Sequence, residues 1–114
     1  MAIQTAAMRD IVAVAYGGSN TTRFGALYTT APGGTAGTEV TGGSPAYARK
    51  ALTFTTTNPI TATVTFDVPS GTTVVGAGIH SLVTGGTYLD GASVTSQAFA
   101  SQGTYQLTFT FTET

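Results

Sequence analysis

Cysteine and tryptophan are both missing from the 114-residue chain. Without cysteine there can be no disulfide, no thiolate zinc site and no cysteine nucleophile. Charge is scarce too. Only 8% of residues are Asp, Glu, Lys or Arg, four basic against five acidic, for a net charge of −1. A chain this poor in Lys and Arg cannot displace counterions along a phosphate backbone, so nucleic acid is excluded as a general partner. A polybasic membrane anchor is excluded for the same reason. Long apolar runs are absent as well. Arg9 and Asp10 interrupt the N-terminus before a signal-type core forms, and Ile11–Tyr16 is far shorter than the ~20 apolar residues that span a bilayer. The expectation is a soluble, unprocessed protein with no membrane partner. Low charge does not imply disorder here: 41% of residues are hydrophobic and the mean hydropathy is +0.20.

The chain is instead rich in glycine, with 15, and threonine, with 25. Its length suits one domain, residues 1–114, with residues 1–18 an N-terminal arm and helix and 19–114 a β-sandwich. Thr5 is placed to cap a helix over Ala6–Tyr16. Met8, Ile11, Val12 and Ala15 recur at helical spacing, and Gly17-Gly18 stops the run. Beyond Gly18 the period becomes two. Phe24–Thr29, Leu52–Thr55, Thr61–Val68 and Thr104–Thr112 alternate, the last with Tyr105, Leu107, Phe109 and Phe111 inward. Thr72–Leu82 is mixed. Its Gly76 and Gly78 share a face, which points to close approach by a backbone or a large ring. Thr87–Leu89 and Val94–Phe99 read as short strands separated by an Asp90-Gly91 turn. Turn chemistry between strands, without crossover helices, predicts an all-β antiparallel sandwich, jelly-roll-like, with one short N-terminal helix. Ala31–Ser44 is a long glycine-bearing loop, suited to contact or movement. Val40-Thr41-Gly42-Gly43 recurs as Val83-Thr84-Gly85-Gly86, which reads as two similar turns rather than a repeat array.

Groups able to do chemistry are few. His80 is the single histidine. A triad could be drawn from Ser81 or Ser44, His80 and Asp90, but neither serine sits in a Gly-x-Ser-x-Gly elbow. The carboxylates are scattered, no calcium-loop or phosphate-loop spacing occurs, and nothing in the pattern calls for a metal or cofactor. Contact residues are better represented. The helix face of Met8, Ile11 and Val12 can dock on the domain's own sheet or on a neighbouring subunit. In Ser44–Lys50, Tyr47 either begins a strand or joins Arg49 and Lys50 in an interface, since Tyr and Arg are enriched at interface hot spots. Threonine on exposed strand faces keeps them wet without charge, a composition suited to sheets held in an assembly.

Four segments carry a resemblance. They are Gly37-Thr38-Glu39-Val40 with Gly42–Lys50, Val68–Val74, Val83–Leu89 and Gly103–Leu107. Together, over residues 22–110, they resemble small structural proteins of tailed bacteriophages, particularly those of actinobacteria. Such proteins are labelled tail fibre or minor tail protein, or sit on the capsid exterior as minor capsid or decoration proteins. The resemblance implies a virion location and a trimeric jelly-roll sandwich. A lone compact domain without coiled-coil heptads favours the capsid. The expectation is a capsid decoration protein, a homotrimer bound to the major capsid protein through multivalent non-covalent contacts. The alternative is a tail-associated adhesion module for a host-surface glycan or protein, with Tyr47 or Tyr88 as stacking platforms. A small hydrolase using His80 is the third reading.

Overall fold

The computed structural model describes residues 5–16, 22–57 and 59–111. Helix α1 (Ala6–Tyr16) precedes six strands: β1 (Arg23–Tyr28), β2 (Lys50–Leu52), β3 (Ile60–Val68), β4 (Thr72–His80), β5 (Tyr88–Phe99) and β6 (Gly103–Phe111). They form two antiparallel sheets, one of four strands in the order β2-β1-β4-β5 and one pairing β3 with β6. The all-β, sandwich-like fold with a short N-terminal helix is therefore as expected. The Gly17-Gly18 stop, Asn58 and Thr112 lie outside the described residues.

The small sheet follows directly from alternation. Ile60, Ala62, Phe66 and Val68 are buried, while Thr63 and Thr65 are exposed. The register sets Ala62 against Phe109, Val64 against Leu107 and Phe66 against Tyr105. On the wet face Thr63 and Thr108 share a 2.8 Å hydroxyl hydrogen bond, a cross-strand pair of the kind that stabilises sheets. Against this sheet the large one sets Leu27, Val74 and Ala77 with Val40 of the long loop, packed on Phe66 and Val68. A second cluster holds Leu52, Ala62 and Ile79.

The outer face of the large sheet is covered as well. Residues 29–38 fold back over it, with the Thr29 amide donating to the Thr38 carbonyl at 2.7 Å and Val40 to Leu27 at 3.1 Å. The shared face of Gly76 and Gly78 is what lets them. A Cβ at Gly76 would enter the Pro32 ring, and one at Gly78 would lie 2.5 Å from Tyr28 Oη. Gly91 receives Pro32 and Tyr88 in the same way. This need explains a correction. Asp90-Gly91 is no turn, because β5 runs unbroken from Tyr88 to Phe99 with Gly91 opposite Gly78.

The helix narrows a choice the sequence left open. Its cap forms as expected, with the Met8 amide donating to Thr5 Oγ1 at 3.2 Å. Of the two docking readings for its apolar face, packing on the domain's own sheet is not the one seen, because that face is turned outward. Ala15 is exposed, and Met8 and Ile11 are 48% and 62% exposed, while Val12 is half-buried. Ala13 and Tyr16, one turn apart, go inward instead. The Tyr16 ring stacks on Phe111 at 3.8 Å, and its hydroxyl donates to Asp90. One aromatic ring with a satisfied hydroxyl orients so short a helix more strongly than two aliphatic side chains nearer its free end.

Gly78→Ala is expected to cost about 1–3 kcal/mol by overpacking. Gly33→Ala, where a Cβ meets nothing within 4 Å, should stay within about 0.5 kcal/mol of the parent. Urea midpoints of the two variants check this.

Candidate interaction surface

Arg49 lies in the loop just before β2 and meets two other pieces of chain. Its Nε donates to Glu39 Oε2 and its Nη2 to Glu39 Oε1, both at 2.9 Å. Its Nη1 donates to the carbonyls of Leu82 at 3.0 Å and Gly85 at 2.9 Å. Glu39 also accepts from the Tyr47 hydroxyl at 2.8 Å, and that hydroxyl accepts the Leu27 amide of β1 at 3.0 Å. The recurring Val-Thr-Gly-Gly turns thereby gain a spatial meaning. Gly42, Gly43, Gly85 and Gly86 all have positive φ, a conformation open to glycine. Val40–Gly42 and Val83–Gly85 face each other across a cleft of about 340 Å³ whose wall includes Arg49. Burial alone pushes the Glu39 carboxyl upward, but hydrogen bonds from Arg49 and Tyr47 outweigh it and hold the group below the usual carboxylate range.

His80 closes β4 in the interior. It is 5% exposed, its Nε2 is hydrogen-bonded to Tyr28 Oη, and its ring meets Tyr88 edge-on. Burial and the nearby Arg49 charge lower its pKa against a smaller opposing pull from Glu39, so the imidazole is neutral at pH 7. Burial first, then Glu39, pushes the Tyr28 phenol up to about 12. The triad partners have other engagements. Ser81 Oγ accepts the Thr87 amide at 2.8 Å, and Asp90 takes Tyr16 and the Gly91 amide. Among the described residues no three His, Cys, Asp or Glu side chains gather as a metal site. No helix among them is long and apolar enough to cross a membrane.

The residues singled out for contact thus separate into two groups. Met8 and Ile11 stand outward on α1, with Val12 half-buried beside them. Tyr47 and Arg49 turn inward: the Tyr47 ring packs on Phe66 at 6.1 Å between centroids, and the polar ends of both serve the Glu39 network. Lys50 opens β2 opposite Gly25, half-buried. Missing from the sequence reading are Leu82, Val83 and Leu89, 54%, 49% and 44% exposed. All three follow His80 at the end of the sheet where Tyr16 anchors α1. The adjacent Leu82-Val83 ahead of a Gly-Gly turn was the available signal, since no strand pairing accounts for it.

A second surface lies between the sheets. The inward positions of β6 are only half-buried, and much of β5 is exposed. A cavity of about 310 Å³ opens between these strands, bounded by Ile79, Asp90, Ala92, Val94, Leu107 and Phe109. Among the described residues that line it, Asp90 is the one charged group, beside apolar side chains, main chain and threonine hydroxyls. No family model, curated protein or solved structure matches the chain.

Arg49→Met strands a carboxylate whose side chain is 25% exposed. It should cost about 2–3 kcal/mol, below the 3–5 of a fully buried pair, with part recovered in the Glu39→Gln/Arg49→Met double variant. Thermal denaturation of the three proteins at neutral pH reads this.

Both acid-side groups act in one direction. His80 and Glu39 have lowered pKa values in the fold, so the unfolded chain binds protons first as pH falls. Stability is therefore complete above about pH 6.5, declines as pH falls below that through His80, and declines again below about pH 4.5 through Glu39. Tyr28 works oppositely: its contribution is complete below about pH 10 and lost as pH rises toward its folded value. Urea midpoints from pH 4 to 11 should trace this plateau, and Glu39→Gln should flatten only the lowest part.

Proposed function

We propose that this chain is a structural protein of a tailed-bacteriophage virion: a capsid decoration protein that binds the major capsid protein on the capsid exterior. One observation carries the reading. The polar groups that could do chemistry are spent on one another in the Glu39–Arg49–Tyr47 and Tyr28–His80 networks. The surface left over is contact surface: half-covered strands and the outward side chains of Met8, Ile11, Leu82, Val83 and Leu89. The resemblance of the segments around Ser44–Lys50 to phage structural proteins supports the same reading.

The mechanism is area and number rather than bond chemistry. A standard interface buries about 800 Å² per partner. In a homotrimer each copy repeats the same contact, and linked contacts raise avidity by about 10²–10⁴ without improving any one of them. Clamping adjacent capsid subunits in this way resists the pressure of packaged genome. For the tail-adhesion alternative, packing of the Tyr47 ring against Phe66 takes one stacking platform away, while Tyr88, half-buried and bonded through its hydroxyl to the Gly33 carbonyl at 2.7 Å, is the ring that reading would use.

Purified protein mixed with undecorated capsids is expected to co-sediment at a saturating ratio and to raise the temperature at which the capsids release DNA. Sedimentation velocity of the free protein should give three times the chain mass. Absence of capsid binding, with density for the chain at the tail tip of the intact particle, overturns the proposal.

A further inference from the structure

The two-stranded sheet covers only part of the four-stranded one. Phe109 of β6 lies over Gly25 of β1, and Ala62 of β3 packs with Leu52 of β2. Toward the start of β5 the cover is missing: Ala92 is exposed although it lies on the inner face. Register makes the gap explicit. Asp90 and Ala92 stand opposite Ile79 and Ala77, both core residues, so they face inward, yet Ala92 is exposed. The gap is closed at its ends by the Tyr16–Phe111 stack and by Phe99 set edge-on to Tyr105. Between Tyr105 and Phe111 it runs for about 20 Å at strand rise.

Along its side the gap is open to main chain. Among the described residues β6 pairs only with β3, so its second edge presents alternate unpaired amides and carbonyls from Gly103 to Phe111. Natural sheets guard such an edge with lysine, proline or a bulge. β6 has no charge, no proline and an unbroken register.

We propose that this groove accepts one extended polypeptide arm, which adds to β6 as a third strand and completes the sandwich over β5. The main-chain bonds supply affinity, and alternate side chains dropping into the cavity supply selectivity. The arm belongs to a different protein. A second copy joining edge to edge would bring its own four-stranded sheet into the layer that β5 already fills; only a lone strand fits. Charge narrows the arm further. Asp90 is the single charged side chain of the cavity wall, so the arm has small apolar residues alternating with neutral ones, no acid facing inward, and room for a lysine or arginine near Asp90. The inference rests on the virion reading only for the arm's owner, a capsid subunit.

The probe is a synthetic eight-residue peptide alternating valine and threonine, amidated and ending in lysine, with fluorescence anisotropy and hydrogen exchange as readouts. Saturable binding is expected, with new amide protection confined to β5 and β6. Ala92→Phe, at an exposed position, fills the groove and should weaken binding about tenfold or more with thermal stability unchanged. Thr65→Phe, on the outer face of β3, should leave binding as it was. Glutamate in place of the peptide's lysine should weaken it about threefold or more, and N-methylation of the amides along one edge should abolish it. No saturation, protection on β3 instead, or equal binding by Ala92→Phe overturns the proposal. Capsid co-sedimentation separates the two ideas: if Ala92→Phe decorates capsids normally, the groove falls and the virion reading stands. If the peptide binds but capsids do not, the reverse holds.

Discussion

The bidentate ion pair between Arg49 and Glu39 ties together parts of the chain that hydrophobic burial alone would leave loose. On one side lies the long β1–β2 connection, whose other ties are a few main-chain bonds such as Thr29 to Thr38 and Val40 to Leu27. On the other lies the β4–β5 turn, whose Leu82 and Gly85 carbonyls take the remaining face of the guanidinium. Tyr47 extends the same network into β1 through the Leu27 amide. With so few charged residues in the chain, this pair meets little competition from other ions. It is also well shielded, with the Arg49 side chain only 10% exposed. An exposed pair would contribute roughly 0–1 kcal/mol; here removal of one partner leaves the other desolvated, and the penalty is larger.

That anchoring makes the glycine face of the large sheet useful. Pro32 of the 29–38 loop can lie on β4 and β5 because Gly76 and Gly91 present no side chains, and Gly78 leaves room for the Tyr28 ring. The loop then buries Tyr28 and His80 from outside. β1 and much of β4 are covered on both faces as a result, β1 by the small sheet within and the loop without. The cost is rigidity of composition: a single methyl at Gly78 has nowhere to go.

Strands with one dry and one wet face were legible in the sequence, because alternation is the direct trace of that environment. β3 and β6 are the examples, and the shared face of Gly76 and Gly78 pointed to close approach by a backbone or a large ring, which Pro32 and Tyr28 supply. β5 was not legible for the opposite reason. Much of it is exposed, so Gly91-Ala92-Ser93 carries no alternation, and Asp90-Gly91 imitates a turn. Whether the Met8 and Ile11 face would pack on its own sheet was not legible, because apolar spacing shows which face could dock, not which one does; Tyr16 decided that through a partner, Phe111, ninety-five positions away. Ser44–Lys50 drew notice for its Tyr and cations, and rightly so, but their partner Glu39 lies in the preceding turn of the same loop. No local pattern says whether a Tyr-Arg pair will face a neighbour or its own chain.

The partly uncovered β5 also bears on how a nearly uncharged β protein can carry a second edge of β6 that pairs with no described strand. An edge without charge or proline would ordinarily recruit the edge of another copy. Here the overhanging β5 does the guarding. A second copy approaching β6 brings its own four-stranded layer against β5 before hydrogen bonds can form, whereas a single extended segment carries no second layer to collide. Shape therefore performs the discrimination that charge performs elsewhere, rejecting copies of itself and admitting an arm. Filling the overhang and filling the groove are consequently different operations. Trimming β5 would expose the edge to self-association, and enlarging Ala92 would close it to everything.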